Sequence, residues 1–139
     1  MTGFLLDTNV VSELTKDAPD SRVIGFLTDQ TDLWLLTVVL HELELGLYLL
    51  PPGRRREGLR EVLSKFVTQY EDRILPLERR EAEEAALLRA RAHRAGRVLN
   101  LGDALVAGAA KAHDLCVATR NVGDFAGLAV DVTNPWEPP

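Results

Sequence analysis

The sequence predicts an α/β fold: an α/β/α sandwich around a central, mostly parallel sheet, formed by a single domain over residues 1–139. Two observations carry this. Short, uninterrupted apolar runs recur along the chain, as strands buried on both faces require. Each is followed by a stretch with apolar residues three and four apart, as a crossover helix requires. At 139 residues the chain suffices for one core and is too short to divide comfortably into two.

Phe4 to Leu6 reads as the first buried strand, and Thr8 or Asn9 can cap a helix beginning near Val10. From Leu33 to Val39, "LWLLTVV" is a second strand-like run, with Thr37 as a cap or turn where a helix takes over. That helix carries Leu40, Leu43, Leu47 and Leu50, and Pro51, Pro52 and Gly53 end it. Arg56 to Tyr70 has an amphipathic helical period through Leu59, Val62, Leu63, Phe66 and Val67. Ile74, Leu75 and Leu77 form a short strand that Pro76 assigns to an edge or a strand end. Glu78 to Arg94 is rich in strong helix formers, with Gly96 where a C-terminal cap belongs. "GDALVAGAAKAH" is a helix whose small residues permit close approach, "LCVAT" a buried strand and "LAVDV" the last one.

With 46% hydrophobic and 27% charged residues, the composition excludes a disordered or fibrous chain. No run approaches the roughly 18 apolar residues of a membrane span, and the first residues lack a signal-peptide pattern, so a cytoplasmic location is expected. Cys116 is the only cysteine, which excludes an internal disulfide and a zinc-finger-type thiolate site. The net charge of -5 is not that of a simple nucleic-acid binder. Arginines nevertheless cluster at Arg54, Arg55, Arg56 and Arg60, and again at Arg89, Arg91, Arg94 and Arg97. Each run reads either as a solvated helix face or as a local basic patch.

Four acids stand where ligands gather in parallel sheets, beyond the carboxyl ends of strands. Asp7 follows the first strand, Glu42 lies just past the second, Asp103 opens the small-residue helix, and Asp124 follows the strand ending at Thr119. Clustered carboxylates raise one another's pKa unless a cation neutralises them, and hard oxygen ligands select Mg²⁺ or Mn²⁺. Such an ion suits phosphodiester hydrolysis by activated water. Asp7 and Asp103 are the expected primary ligands, Glu42 and Asp124 complete the site or orient water, and Asn9, Thr119 and Asn121 are the expected supporting hydrogen-bond groups. Each acid also has a purely structural reading: Asp7 as a turn or cap, Asp103 as a helix cap, Glu42 as a solvated position with Glu44 competing for its role, and Asp124 as a loop former.

Other chemistries find less support. His41, His93 and His113 lack metal-ligand spacing, and neither Ser12 nor Cys116 has a base nearby in sequence. No glycine-rich phosphate loop is present. Phosphatases that form an aspartyl-phosphate need a second acid two positions after the first, where this chain has Asn9.

The stretches "LLDTNVVSEL", "LTVVLHELELGL", "GDALVAGAAKAHDLCVATRNVGDF" and "VDVTNPW" together resemble the PIN-domain ribonucleases, in particular the VapC-type toxins (FitB-like branch) of toxin-antitoxin pairs. The resemblance covers essentially the whole chain and rests on order: Asp7-Thr8-Asn9, then Glu42-Leu43 with Gly46, Asp103 with Ala107, and Thr119-Arg120-Asn121 ahead of Phe125. It implies that Asp7, Glu42, Asp103 and Asp124 form an Mg²⁺ or Mn²⁺ pocket that cuts RNA. It further implies a homodimer and an antitoxin whose C-terminal segment enters the groove, the pair binding promoter DNA through the antitoxin. RNA would be met by Arg120 and by Arg54, Arg55 and Arg56. The non-enzymatic alternative is a catalytically weak PIN-like binding module acting through its antitoxin partner.

Overall fold

The computed structural model describes residues 3–138. Five strands, β1 (Phe4–Leu6), β2 (Leu33–Leu36), β3 (Ile74–Leu75), β4 (Cys116–Ala118) and β5 (Val132–Thr133), form one sheet in the order β3-β2-β1-β4-β5. Every ladder is parallel, with Leu5 facing Trp34 on one side and Val117 on the other. Neighbouring residues of a strand point to opposite faces. Leu5 and Leu6, Leu35 and Leu36, and Val117 and Ala118 are all fully buried, so both faces of the sheet are covered. Burial of each such aliphatic side chain contributes about 1.5–3 kcal/mol. Among the described residues, no helix is long and apolar enough to cross a membrane.

The helices are α1 (Thr8–Ser12), α2 (Ser21–Asp29), α3 (Thr37–Tyr48), α4 (Arg54–Gln69), α5 (Arg79–Arg94) and α6 (Leu101–Ala112). Short 3₁₀ turns lie at Glu13–Thr15, Glu71–Arg73 and Val122–Phe125. From β1 the chain steps to β2 and β3, then returns past β1 to β4 and β5. The direction of winding therefore reverses between β1 and β4, which opens a crevice at the carboxyl ends of those two strands.

Several local features differ from the sequence expectation. The first helix starts at Thr8, with Asp7 itself as the capping residue, because the Asp7 carboxylate accepts the Thr8 N–H. The second strand stops at Leu36, and Thr37 is already helical, its hydroxyl accepting the Leu77 N–H. Helix α2 was not expected. Asp20 caps it by accepting the Arg22 N–H at 2.8 Å, and Val23 is fully buried. The strand expected in "LAVDV" starts only at its last residue, Val132, and runs to Thr133, because Ala129 turns the backbone with φ 57 and Leu128 drops into the core. Helix α5 begins with a reciprocal capping box between Glu78 and Glu81.

Helix α6 carries Asp103, and its placement depends on one close approach. A Cβ added to Gly108 would lie 2.6 Å from the Ala85 backbone nitrogen and 2.8 Å from its Cα. Helices α5 and α6 thus touch backbone to backbone, which only glycine allows at that point. Of the expected apolar helix faces, Val39, Leu43, Leu47 and Leu63 join the core, whereas Leu45, Tyr48, Leu49 and Val62 stay exposed.

Candidate active site

Asp7 sits at the switch point, where β1 ends and its backbone N–H donates to the Ala118 carbonyl of β4 at 2.9 Å. Its carboxylate is buried and fully engaged. Oδ1 accepts the Thr8 N–H at 2.9 Å, and Oδ2 accepts the Thr119 hydroxyl at 2.8 Å and the Asn9 amide at 3.3 Å. Thr119, wholly buried after β4, is the hub of this cluster: its Oγ1 also accepts from Asn9 Nδ2 at 3.2 Å and from the Asn121 N–H at 3.1 Å. Asn9 Oδ1 in turn accepts the Arg120 N–H. Asn9 and Thr119 therefore lock the loops after β1 and β4 together beneath the carboxylate. Asn121 contributes here through its backbone.

Glu42, on α3, is tied to the same cluster because the Thr8 hydroxyl donates to its Oε1 at 2.7 Å. Its rival Glu44 points elsewhere, into an ion pair with Arg60 at 2.9 Å. Asp103 enters from the start of α6. Asn100 is the capping residue of that helix; its Oδ1 accepts the Asp103 N–H at 2.8 Å and its Nδ2 donates to Asp103 Oδ2 at 3.0 Å. A Cβ on Gly102 would lie 3.5 Å from Glu42 Oε2, so the beginning of α6 abuts Glu42. Asp124 lies exposed in the 3₁₀ turn Val122–Phe125, above the fully buried Phe125.

Burial, reinforced by the negative charges of Asp7, Asp124 and Glu42, pushes the Asp103 carboxyl up to about 6. Asp7 is also raised, mainly by burial and further by Glu42, against the opposing hydrogen bonds from Thr119, Thr8 and Asn9. Asp103 thus faces the charges of Asp7, Asp124 and Glu42, and Asp7 faces that of Glu42. Among the described residues, no three or more His, Cys, Asp or Glu side chains are gathered closely enough to hold an ion jointly. Mg²⁺ does not need that, since one or two direct carboxylates and retained waters are its usual set. An all-oxygen donor group with two carboxyls held above their ordinary range fits a hard divalent cation.

A groove of about 370 Å³ opens beside the acids. Thr8 and Glu42 line it with Leu43, Leu47 and Leu50, and Arg55 adds a positive charge. Arg56 and Arg60 stack over the exposed Tyr48 ring at 4.9 and 5.2 Å, and Arg54 is exposed at the start of α4. Arg120 lies 5.2 Å over the Trp136 ring, beside the Asn9 bond. Sequence reasoning missed two supporting residues, Thr8 as the holder of Glu42 and Asn100 as the holder of Asp103. Asn100 had a signal, because an asparagine three residues before an acid at a helix start has the spacing of a capping box.

The fold is shared with known proteins. The family pattern described as "PIN domain" matches residues 4–129. The chain is 37% identical over 135 residues to Toxin FitB of Neisseria gonorrhoeae, covering 95% of this chain and 97% of that one. It is 36% identical over 137 residues to VapC ribonuclease Y4jK of Sinorhizobium fredii, covering 96% and 98%. Among solved structures, that of FitAB bound to an IR36 DNA fragment superposes with a TM-score of 0.91 at 34% identity, covering 98% of this chain and 97% of that chain.

Proposed function

We propose, from the premise that this chain belongs to the PIN-domain family, that it is a divalent-metal-dependent endoribonuclease and the toxin of a toxin-antitoxin pair. The observation that carries the proposal is Asp103 at the switch point of a parallel sheet, its carboxyl pushed up to about 6 by burial and further by the charges of Asp7, Asp124 and Glu42.

Asp7 and Asp103 would hold Mg²⁺ or Mn²⁺. When bound, such an ion supplies an activated water and charge stabilisation for in-line displacement at phosphorus. The chain's own groups do the rest. Thr119 and Asn9 fix the direction of Asp7, and Asn100 fixes that of Asp103. Glu42, held by Thr8, and Asp124 accept hydrogen bonds from water in the site and set its approach to the phosphate. Arg55 and Arg120 meet backbone phosphates next to the acids, so RNA is drawn by local positive charge although the protein as a whole is acidic. The shallow groove suits single-stranded or looped RNA, whose phosphates and bases are open to contact. Arg54 and Arg56 extend that basic edge at the α3–α4 turn.

The same reading includes a homodimer in the cytoplasm and a cognate antitoxin, through which the pair would engage promoter DNA. The similarity to the structure of FitAB bound to DNA supports the partner. The test is cleavage of RNA by purified protein. Cleavage requiring Mg²⁺ or Mn²⁺, stopped by a chelator and lost in Asp7→Asn, is the expected result. A folded, metal-supplied protein that binds antitoxin but leaves RNA intact would make it a binding module instead.

A further inference from the structure

Helix α5 ends in a full Schellman arrangement that fixes where Arg97 starts. Gly96 adopts φ 78, its N–H donates to the His93 carbonyl at 3.0 Å, and the Arg97 N–H donates to the Ala92 carbonyl at 2.8 Å. That position commonly carries an apolar residue packed back on the helix. Here it carries an arginine, whose guanidinium reaches across to the 3₁₀ turn that bears Asp124. Its Nη2 donates to the carbonyls of Gly123 at 3.3 Å and Asp124 at 3.1 Å, and its Nη1 donates to the carbonyl of Ala126. The Gly123 carbonyl also accepts the Ala126 N–H at 3.3 Å, and a planar guanidinium can serve several carbonyls at once.

The other end of the same connection is equally fixed. Arg89 donates to the Leu99 carbonyl, and Asn100 then grips Asp103. Only a few residues thus separate the side chain holding the Asp124 turn from the one holding Asp103. Phe125, fully buried, secures the turn from below.

We infer that Arg97 is a positioning residue for the metal site: by clamping the carbonyls of Gly123, Asp124 and Ala126 it sets the placement of Asp124 relative to Asp103. The inference rests on the metal site of the proposed nuclease reading, at which Arg97 acts through the turn that bears Asp124. Arg97 acts through Asp124, so its effect on the site depends on that carboxylate being present.

The test is a double-mutant cycle read by calorimetric Mn²⁺ titration, using the full chain, Arg97→Met, Arg97→Lys, Asp124→Asn and the combined Arg97→Met/Asp124→Asn variant. Removing an outer hydrogen-bond partner typically weakens metal binding about 10–100-fold. Arg97→Met is expected to weaken Mn²⁺ binding by about ten-fold in the parent and by less than about two-fold once Asp124 is Asn, with Arg97→Lys intermediate. Equal loss in both backgrounds would make Arg97 a general structural clamp and overturn the inference. Parental Mn²⁺ affinity in Arg97→Met or in Asp124→Asn would overturn it as well. Should Arg97→Met fail to fold, as judged by circular dichroism, Arg97→Lys together with Arg97→Lys/Asp124→Asn closes the same cycle. RNA cleavage by the parent is measured in parallel. Coupling without any cleavage would defeat the nuclease reading while leaving the role of Arg97 standing, and a parent that binds no Mn²⁺ would defeat both.

Discussion

Replacing Asp103 by Asn should stabilise the metal-free protein while abolishing its response to metal. The Asp103 carboxyl stands at about 6 instead of its ordinary 3.8, because it is partly buried and faces Asp7, Asp124 and Glu42. A difference of that size corresponds to roughly 3 kcal/mol between the two protonation states. The site is half open to water, so screening reduces the effective cost of the ionised form to about 1–2 kcal/mol. The sign follows from the direction of the shift. A carboxyl raised in the folded state contributes full stability below the unfolded value of 3.8, and that contribution is lost as pH rises through about 6. Above pH 7 the folded protein carries the whole penalty, and Asp103→Asn removes it. Because Asn100 Oδ1 still accepts the backbone N–H of residue 103, the cap of α6 survives the change. Thermal unfolding in chelator at pH 7.5 should therefore give a Tm about 3–8 °C above the parent, and this gain should shrink as pH is lowered toward 4.5. Added Mn²⁺ should raise the parent's Tm and leave that of Asp103→Asn unmoved. A variant less stable than the parent at pH 7.5 without metal, or a gain independent of pH, would refute the claim that the carboxylates repel one another here.

Three further substitutions probe other parts of the arrangement. Thr119→Val removes the hydroxyl that donates to Asp7 and accepts from Asn9 and Asn121; it should weaken Mn²⁺ binding about 10–100-fold, and unchanged binding in a calorimetric titration would free Asp7 from that dependence. Gly108→Ala forces a methyl against the Ala85 backbone and should cost about 1–3 kcal/mol in urea unfolding, so a parental midpoint would contradict the close crossing of α5 and α6. Arg55→Ala should weaken RNA binding and lower the slope of log affinity against log salt by about 0.7, as loss of one phosphate contact to a single strand does, and an unaltered slope would remove Arg55 from the binding surface.

Much of this arrangement is visible in the sequence because it is written in short-range patterns. The runs around Leu5, Leu35 and Val117 announce doubly buried strands, and strand-then-helix alternation forces parallel pairing, so the acids after those strands must share one edge. What stayed hidden depends on contacts between distant segments. Thr8 reads as a cap until α3 brings Glu42 within 2.7 Å of its hydroxyl. Glu42 and Glu44 sit two residues apart, and the contacts that separate them, Thr8 with Glu42 and Arg60 with Glu44, come from other segments. Helix α2 is short and its period is easily lost between the capping Asp20 and the loop at Gln30. The last strand begins later than "LAVDV" suggests because apolar alternation there carries no sign that Ala129 adopts a positive φ.

Diffraction from crystals grown with Mn²⁺, recorded for the anomalous signal of the ion, tests the central claim most directly. The prediction is one peak at the carboxyl ends of β1 and β4, about 2.0–2.3 Å from oxygens of both Asp7 and Asp103. A peak bound to other residues, or Asp7 and Asp103 oxygens turned away from each other around an empty crevice at saturating Mn²⁺, would contradict it.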